Sequence, residues 1–365
     1  AGAVPLLYPR RKAREPGRQP DRDVLVPREK GKASPMGPRF RSLRLVVVVA
    51  LILLVVVVTA CSRSAQTATD ASPTATLGSG AGPLATPAFP VTLTDDAGRS
   101  VEIAADPQRI VSLAPSNTEI VCALGACPRL VGVTDYDNYP PEVADVPDVV
   151  IQAQVDVEKV TAADPDLVLA AGNEFTPTAT IEQLMDLGFP VLTLYAENLN
   201  GVYDDVELLG HALGVDLVAT QLVAEMQSRA AGVRETVAGA VRPRTLYEVS
   251  VFEGVVYTAG EGSFLASLID DAGGEPITGD AQTFAIALEE IVAADPELIL
   301  LGDATYDASI TPETVAQRPG WQDLSAVREG RVVPVTDDVV ITRPGPRIVD
   351  GLEALARAIH PERYP

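Results

Sequence analysis

Residues 158–169 read EKVTAADPDLVL, and 131 residues further on, residues 289–300 read EEIVAADPELIL. The interval is far longer than the roughly 20–50 residues of a solenoid or propeller repeat, so the duplication reports two similar lobes. In each copy a carboxylate opens a short apolar-periodic stretch (Val157, Val160, Ala163; Leu288, Ile291, Val292). Asp-Pro then stops it, because the residue before proline is driven out of the helical region. The aliphatic runs that follow, 167–171 and 298–301, show no polar alternation. Such runs suit strands buried on both faces, as in parallel sheets covered by helices. Each copy is therefore a helix, a stop and a buried strand, and the fold class is α/β.

Outward from the repeat the alternation continues. Residues 91–95 and 99–103, around a turn at Asp96-Ala97-Gly98, alternate polar with apolar and predict a hairpin. Residues 109–113 predict a strand, followed by a helix entered at Pro115-Ser116 with Ser116 as cap and Glu119 at its third position. Further strands are expected at 130–134, 149–151, 167–171 and 191–194. From Asp216 to about Ala240 the pattern becomes one proline-free helix, with Leu222, Met226, Val233 and Val237 on one face, and at 1.5 Å per residue it would span nearly ~40 Å. Strand-helix alternation then resumes at 245–251, 263–271 (helix) and 331–335. Two lobes with mostly parallel sheets, joined by a single long helix, are the expected architecture, with 89–200 the first lobe, 201–241 a helical segment including the bridge, and 242–365 the second lobe.

The first eighty-eight residues are of a different kind. Residues 1–44 carry 12 Lys or Arg against 4 Asp or Glu and no apolar periodicity, and 45–60 are an unbroken apolar run ending at Cys61. Sixteen residues are short for a membrane span, which needs about twenty, and suit a signal-peptide core. Val58-Thr59-Ala60-Cys61 resembles the lipobox of bacterial lipoproteins, in which the cysteine is acylated and becomes the new N-terminus. Counting back, Met36 would start a signal of ordinary proportions, so 1–60 read as a basic disordered extension plus signal peptide. An uncleaved transmembrane anchor is the alternative, and both readings place the remainder outside the cytoplasm. Residues 62–88 are Ser, Thr, Ala, Gly and Pro with few large apolar side chains, a flexible tether.

Residues 45–365 carry 16 basic and 46 acidic residues, a net charge of −30, which excludes nucleic acid as a partner. Cys122 and Cys127 are either a small disulfide, which would need the chain to turn at Gly125, or two buried thiols. With only His211 and His360 in the chain, a histidine-based metal site or hydrolytic triad is disfavoured. No metal site and no catalytic residue is assigned.

Several segments together resemble the substrate-binding proteins of ABC importers for cobalamin, ferric siderophores and haem. They are PQRIVSLAPSNTE at 107–119, GVTDYDNYPP at 132–141, the two repeats, PGW at 319–321 with AVREGRV at 326–332, and RPGPR at 343–347. The resemblance implies a fold of the class III periplasmic-binding-protein type, a monomer holding a small-molecule metal chelate in the interlobe cleft, and an ABC permease dimer with its ATPase as partner. It further implies that Glu158 and Glu289, each seven residues before the proline of its copy, dock the two lobes onto that dimer, rather than merely complementing helix N-termini. Cobalamin is the first choice of ligand, because an aromatic at the position of Tyr136 packs against the corrin ring in such binders. The cleft tryptophans of those binders are missing; Gln152 and Thr283 occupy the region, with Phe284 adjacent. Phe252, Tyr257, Phe284 and Tyr306 are the remaining aromatic candidates, with Arg343 a partner for a ligand phosphate or carboxylate. A ferric siderophore or haem is the alternative cargo. An anchored surface enzyme, or an adhesin or sensor domain, is the alternative of another class.

Overall fold

The aliphatic run of each repeat becomes an interior strand of its own sheet. The computed structural model describes residues 89–172 and 176–364; the basic extension, signal segment, Met36, Cys61 and the tether lie outside the described residues. The first lobe opens with the expected hairpin, β1 (Val91–Thr94) and β2 (Ser100–Ile103). It continues through β3 (Ile110–Ser112), α1 (Pro115–Ala123), β4 (Leu130–Thr134), β5 (Asp148–Ile151), β6 (Gln154–Val155), α2 (Val157–Ala163), β7 (Leu167–Ala170), α3 (Thr178–Asp186) and β8 (Val191–Thr193). The main sheet runs β6-β5-β4-β3-β7-β8 and is parallel except for β6. Every residue of β7 is buried, as required of a strand covered on both faces.

Two helices follow, α4 (Leu199–Ala212) and α5 (Asp216–Val237). The second lobe comprises β9 (Arg244–Glu248), β10 (Ser250–Phe252), β11 (Val255–Tyr257), α6 (Phe264–Asp271), β12 (Glu275–Pro276), β13 (Ala285–Ile286), α7 (Leu288–Ala294), β14 (Leu298–Leu301), α8 (Pro312–Ala316), α9 (Ser325–Arg328), β15 (Val332–Pro334), α10 (Asp338–Thr342) and α11 (Ile348–Ile359). Its parallel sheet has the order β12-β9-β14-β15, and β10, β11 and β13 form a separate antiparallel sheet.

The duplication extends to hydrogen bonds and backbone angles. Asp164 and Asp295, 131 residues apart, both adopt left-handed φ (46° and 43°) and cap their helices, since the following proline bars the helical region. Arg109 Nε donates to the Asp164 carbonyl (2.9 Å) and Arg244 Nε to those of Ala294 (2.9 Å) and Asp295 (3.2 Å), satisfying carbonyls that a helix end leaves open. Asp166 accepts from the Arg109 amide and Glu297 from the Arg244 amide. Val160 and Ile291 are the fully buried anchors of α2 and α7, whereas Leu288 and Val292, expected on the apolar face, are largely exposed.

Helix α1 departs from expectation at its start. Its cap is Ala114, with no side-chain hydrogen bond, and Pro115 occupies the first turn, where a missing N–H costs nothing. Ser116 is thus inside the helix, and Glu119 is free for another role. Cys122 and Cys127 are joined as a disulfide with Cα atoms 4.1 Å apart, because α1 ends at Ala123 and the chain turns at Gly125 (φ 81°).

Helix α5 has 22 residues and so spans about 33 Å. Its buried face is Ala219, Val223, Met226, Ala230, Val233 and Val237, spaced by three and four; Leu222, expected on this face, is only partly buried. It packs on α4 at one side and α11 at the other, and Arg229 donates to Asp350 and Glu353 of α11. Contact with α4 is close enough that a Cβ at Gly210 would lie 2.3 Å from Ala219 Cβ, whereas one at Gly232 would meet nothing within 4 Å. Gly210→Ala is expected to cost about 1–3 kcal/mol through overpacking, while Gly232→Ala gains up to about 1 kcal/mol from helix propensity. Urea denaturation of both variants distinguishes a packed strut from a loosely laid one.

Candidate functional site

The lobes are tied together at Glu119. Its carboxylate, 3% exposed, accepts Arg347 through Nε (2.9 Å) and a terminal nitrogen (2.6 Å), with Arg343 at 3.4 Å. Arg343 also donates to Asn138 Oδ1 (2.8 Å) and to the Tyr136 carbonyl (2.9 Å), and Arg347 stacks 3.9 Å over the Tyr139 ring. All of the acceptors belong to the first lobe and both arginines to the second. Arg343, expected to meet the ligand, is 4% exposed and holds this clasp. The Tyr136 ring is covered, packed with Ala114, Ala171 and Ala153.

The other aromatic candidates separate into two groups. Pairing of Phe252 with Val255 and of Ser250 with Tyr257 puts Phe252, Val255 and Tyr257 on one face of the antiparallel sheet, since opposed and alternate residues share a face. Phe252 is 49% and Val255 41% exposed, while Val256 and Ile286 on the reverse face join the core. Phe284 stands beside this sheet, 36% exposed, with φ 58°, the same left-handed backbone as its repeat equivalent Ala153 (φ 59°). Its ring lies over Gly260, where a Cβ would come within 2.4 Å. Tyr306 belongs to a different network: its hydroxyl donates to Asp338 Oδ2 (2.7 Å), and the buried Tyr247 hydroxyl to Asp338 Oδ1 (2.6 Å). Burial raises the Asp338 carboxyl above its ordinary range.

At the carboxyl end of β9, Arg318 donates both terminal nitrogens to the fully buried Glu248 carboxylate, one at 2.8 Å, and lies over the Trp321 ring. Asp303, beyond β14, is buried next to this pair. In open α/β sheets the carboxyl ends of parallel strands are where ligands bind, so these groups stand at the chemically informative end of the second lobe.

Glu158 and Glu289 are both exposed in the first turns of α2 and α7. Capping is done by neighbours: Asp156 accepts from the Lys159 amide, and Glu290 accepts from the Ala287 amide. Among the described residues no hydrogen bond or ion pair of Glu158 or Glu289 is found. No group of three or more His, Cys, Asp or Glu arranged for a metal ion occurs among the described residues.

Glu119, Asn138, Glu248 and Asp303 were not singled out in the sequence. Glu119 fitted a capping pattern, and the acids at strand ends lie within aliphatic runs. The available signal was the scarcity of cations: in so acidic a chain, each arginine of the RPGPR segment requires a named carboxylate.

Two α/β lobes joined by a strut and an interlobe clasp are an architecture suited to holding a solute between them. A model of the periplasmic binding protein family matches residues 110–339, and the chain belongs to that family. It is 36% identical over 285 residues to the uncharacterized ABC transporter substrate-binding lipoprotein YvrC of Bacillus subtilis, covering 76% of this chain and 88% of that protein. It is 31% identical over 287 residues to a cobalamin-binding protein of Halobacterium salinarum, covering 74% of each. The periplasmic heme-binding protein RhuT of Roseiflexus, in apo form, superposes with a TM-score of 0.62 at 26% identity, over 70% of this chain and 99% of that one.

Removing one partner of a buried ion pair strands the other. Glu119→Ala is therefore expected to lower stability by about 3–5 kcal/mol, with Arg347→Met in the same background adding much less than it does alone. Chemical denaturation of the two single variants and the double variant measures this coupling.

Proposed function

We propose that the protein is an extracytoplasmic, lipid-anchored receptor that captures cobalamin between its lobes and delivers it to an ABC importer. The observation that carries the ligand choice is the state of the arginines nearest the cleft. Arg343 and Arg347 are engaged by Glu119 and Arg318 by Glu248, so an anionic chelate would have to compete with buried carboxylates for them. The second lobe instead exposes an apolar sheet face, Phe252 and Val255 with the half-buried Tyr257, and Phe284 alongside. A large ring system bearing neutral amides suits such a face better than a haem with two carboxylates or an anionic siderophore. The likeness to a cobalamin-binding protein points the same way. Haem is the second reading, favoured by the likeness to RhuT.

Glu158 and Glu289 are the proposed contacts with the permease dimer, one on each repeat. Both are exposed and relieved of capping duty, and duplicated carboxylates suit a partner with two equivalent subunits. Anchoring rests on Cys61 and its lipobox-like context, and on the lipoprotein relative.

Calorimetric titration with cobalamin, haem and ferric siderophores tests the ligand. Saturation by cobalamin at equal stoichiometry is expected, with Phe252→Ala and Tyr257→Ala each weakening it about tenfold, or ~1.4 kcal/mol; saturation by haem or a siderophore alone would replace this reading. Glu158→Arg combined with Glu289→Arg is expected to abolish cellular uptake and leave the titration unchanged.

A further inference from the structure

The carboxyl of Asp303 belongs neither to the clasp nor to the aromatic face. Neighbouring strands β9 and β14 bring it beside Glu248: Leu301 pairs with Glu248 in register, and the Gly302 amide donates to the Glu248 carbonyl at 2.9 Å. Glu248 is fully buried and Asp303 1% exposed. The cation set against them is Arg318, and both of its terminal nitrogens go to Glu248. Neither Asp303 oxygen meets a donor among the described residues. Two buried carboxyls thus share one guanidinium, and such a pair reaches neutrality only by keeping a proton. Tyr247, Tyr306 and Asp338 complete the titratable surroundings; both hydroxyls are turned toward Asp338, so they do not relieve Asp303.

The backbone of Asp303 begins a 3₁₀ turn, Asp303–Thr305, and its carbonyl accepts from the amides of Tyr306 (2.9 Å) and Asp307 (3.0 Å). Any movement of Asp303 away from Glu248 therefore moves Tyr306. We propose that Asp303 is a positioning residue, the proton it shares with Glu248 seating the turn that carries Tyr306 at the ligand-facing end of the second lobe, so that losing this proton unseats the turn and weakens ligand capture. The role in capture rests on the reading of the interlobe cleft as the ligand site.

Burial and the adjacent Glu248 charge push the Asp303 carboxyl up to about 8. A carboxyl whose proton is held more tightly in the folded than in the unfolded chain lowers stability as pH rises from the ordinary carboxylate range to that value, beyond which the penalty is constant. The turn is accordingly seated most firmly in acid, loosens progressively as pH rises from the ordinary carboxylate range, and reaches its loosest state at about pH 8.

Amide hydrogen exchange of residues 303–307 in the ligand-free protein, corrected for intrinsic rates, tests the turn. Protection in the wild type is expected to fall by up to about tenfold per pH unit as pH rises from the ordinary carboxylate range to about 8, and to level off beyond it. Asp303→Asn, which retains the shape and a donor toward Glu248, is expected to remain protected throughout, and to lose a protonated-carboxyl infrared band that the wild type shows at pH 7. An identical exchange profile in the variant, or a flat wild-type profile, overturns the proposal. Cobalamin titration across the same pH range tests the consequence: affinity falling in the wild type but not in the variant supports it, and tight binding indifferent to pH overturns it. Absence of binding by cobalamin, haem and siderophores alike sinks the ligand-site reading, while the exchange data still decide whether Asp303 seats the turn.

Discussion

Glu119 accepts two arginines from the opposite lobe while almost wholly withdrawn from water, and the relation between the lobes depends on that arrangement. Packing of α5 on α4 and α11 joins the lobes along one line, which by itself would leave rotation about that line. The clasp supplies a second attachment, at the turn carrying Tyr136, Asn138 and Tyr139. Two buried or half-buried guanidiniums on one carboxylate would be costly if any N–H were wasted. Asn138, the Tyr136 carbonyl and the Tyr139 ring receive much of the remainder. The clasp thus also fixes the first-lobe turn that carries Tyr136, Asn138 and Tyr139.

A chain with far more acids than bases must place its few arginines where they matter. Here they close helix ends in both repeats (Arg109, Arg244), bind α5 to α11 (Arg229), neutralise Glu248 (Arg318) and hold the lobes (Arg343, Arg347). Cations placed in this way are structural before a ligand arrives. Binding that displaced them would have to make good both the lost ion pair and the desolvated acid left behind. On the proposed function, that asymmetry favours apolar and neutral ligands over anionic ones.

The architecture was legible because it depends on features that are local in sequence: proline after aspartate, unbroken aliphatic runs, one long stretch without proline. The hairpin, the strand of each repeat and the strut appear within a residue or a few of where the pattern puts them. What was illegible depends on pairs far apart in the chain. Glu119 and Arg347 are separated by 228 residues, and only folding shows that the glutamate of a capping-like pattern answers an arginine in a proline-rich turn. The same holds for Arg343, whose partners Asn138 and the Tyr136 carbonyl lie 205 and 207 residues away in the chain. The acids at the ends of β9 and β14 were hidden by being adjacent to aliphatic runs that account for themselves.

The two repeats agree in backbone and diverge in side chains, and the pattern of divergence is informative. Asp164 and Asp295 share a left-handed cap, and Val160 and Ile291 share an anchor. Ala153 and Phe284 share a left-handed φ that a bulky residue adopts only when its surroundings impose it. At that last pair the chemistry separates. Alanine lies beneath Tyr136 in one lobe, while phenylalanine stands half-exposed over Gly260 in the other. The copies retain matching exposed glutamates, while at this pair one copy is small and the other aromatic. On the proposed function, the divergence at Ala153 and Phe284 offers the cargo an aromatic surface on the second lobe that the first lobe lacks.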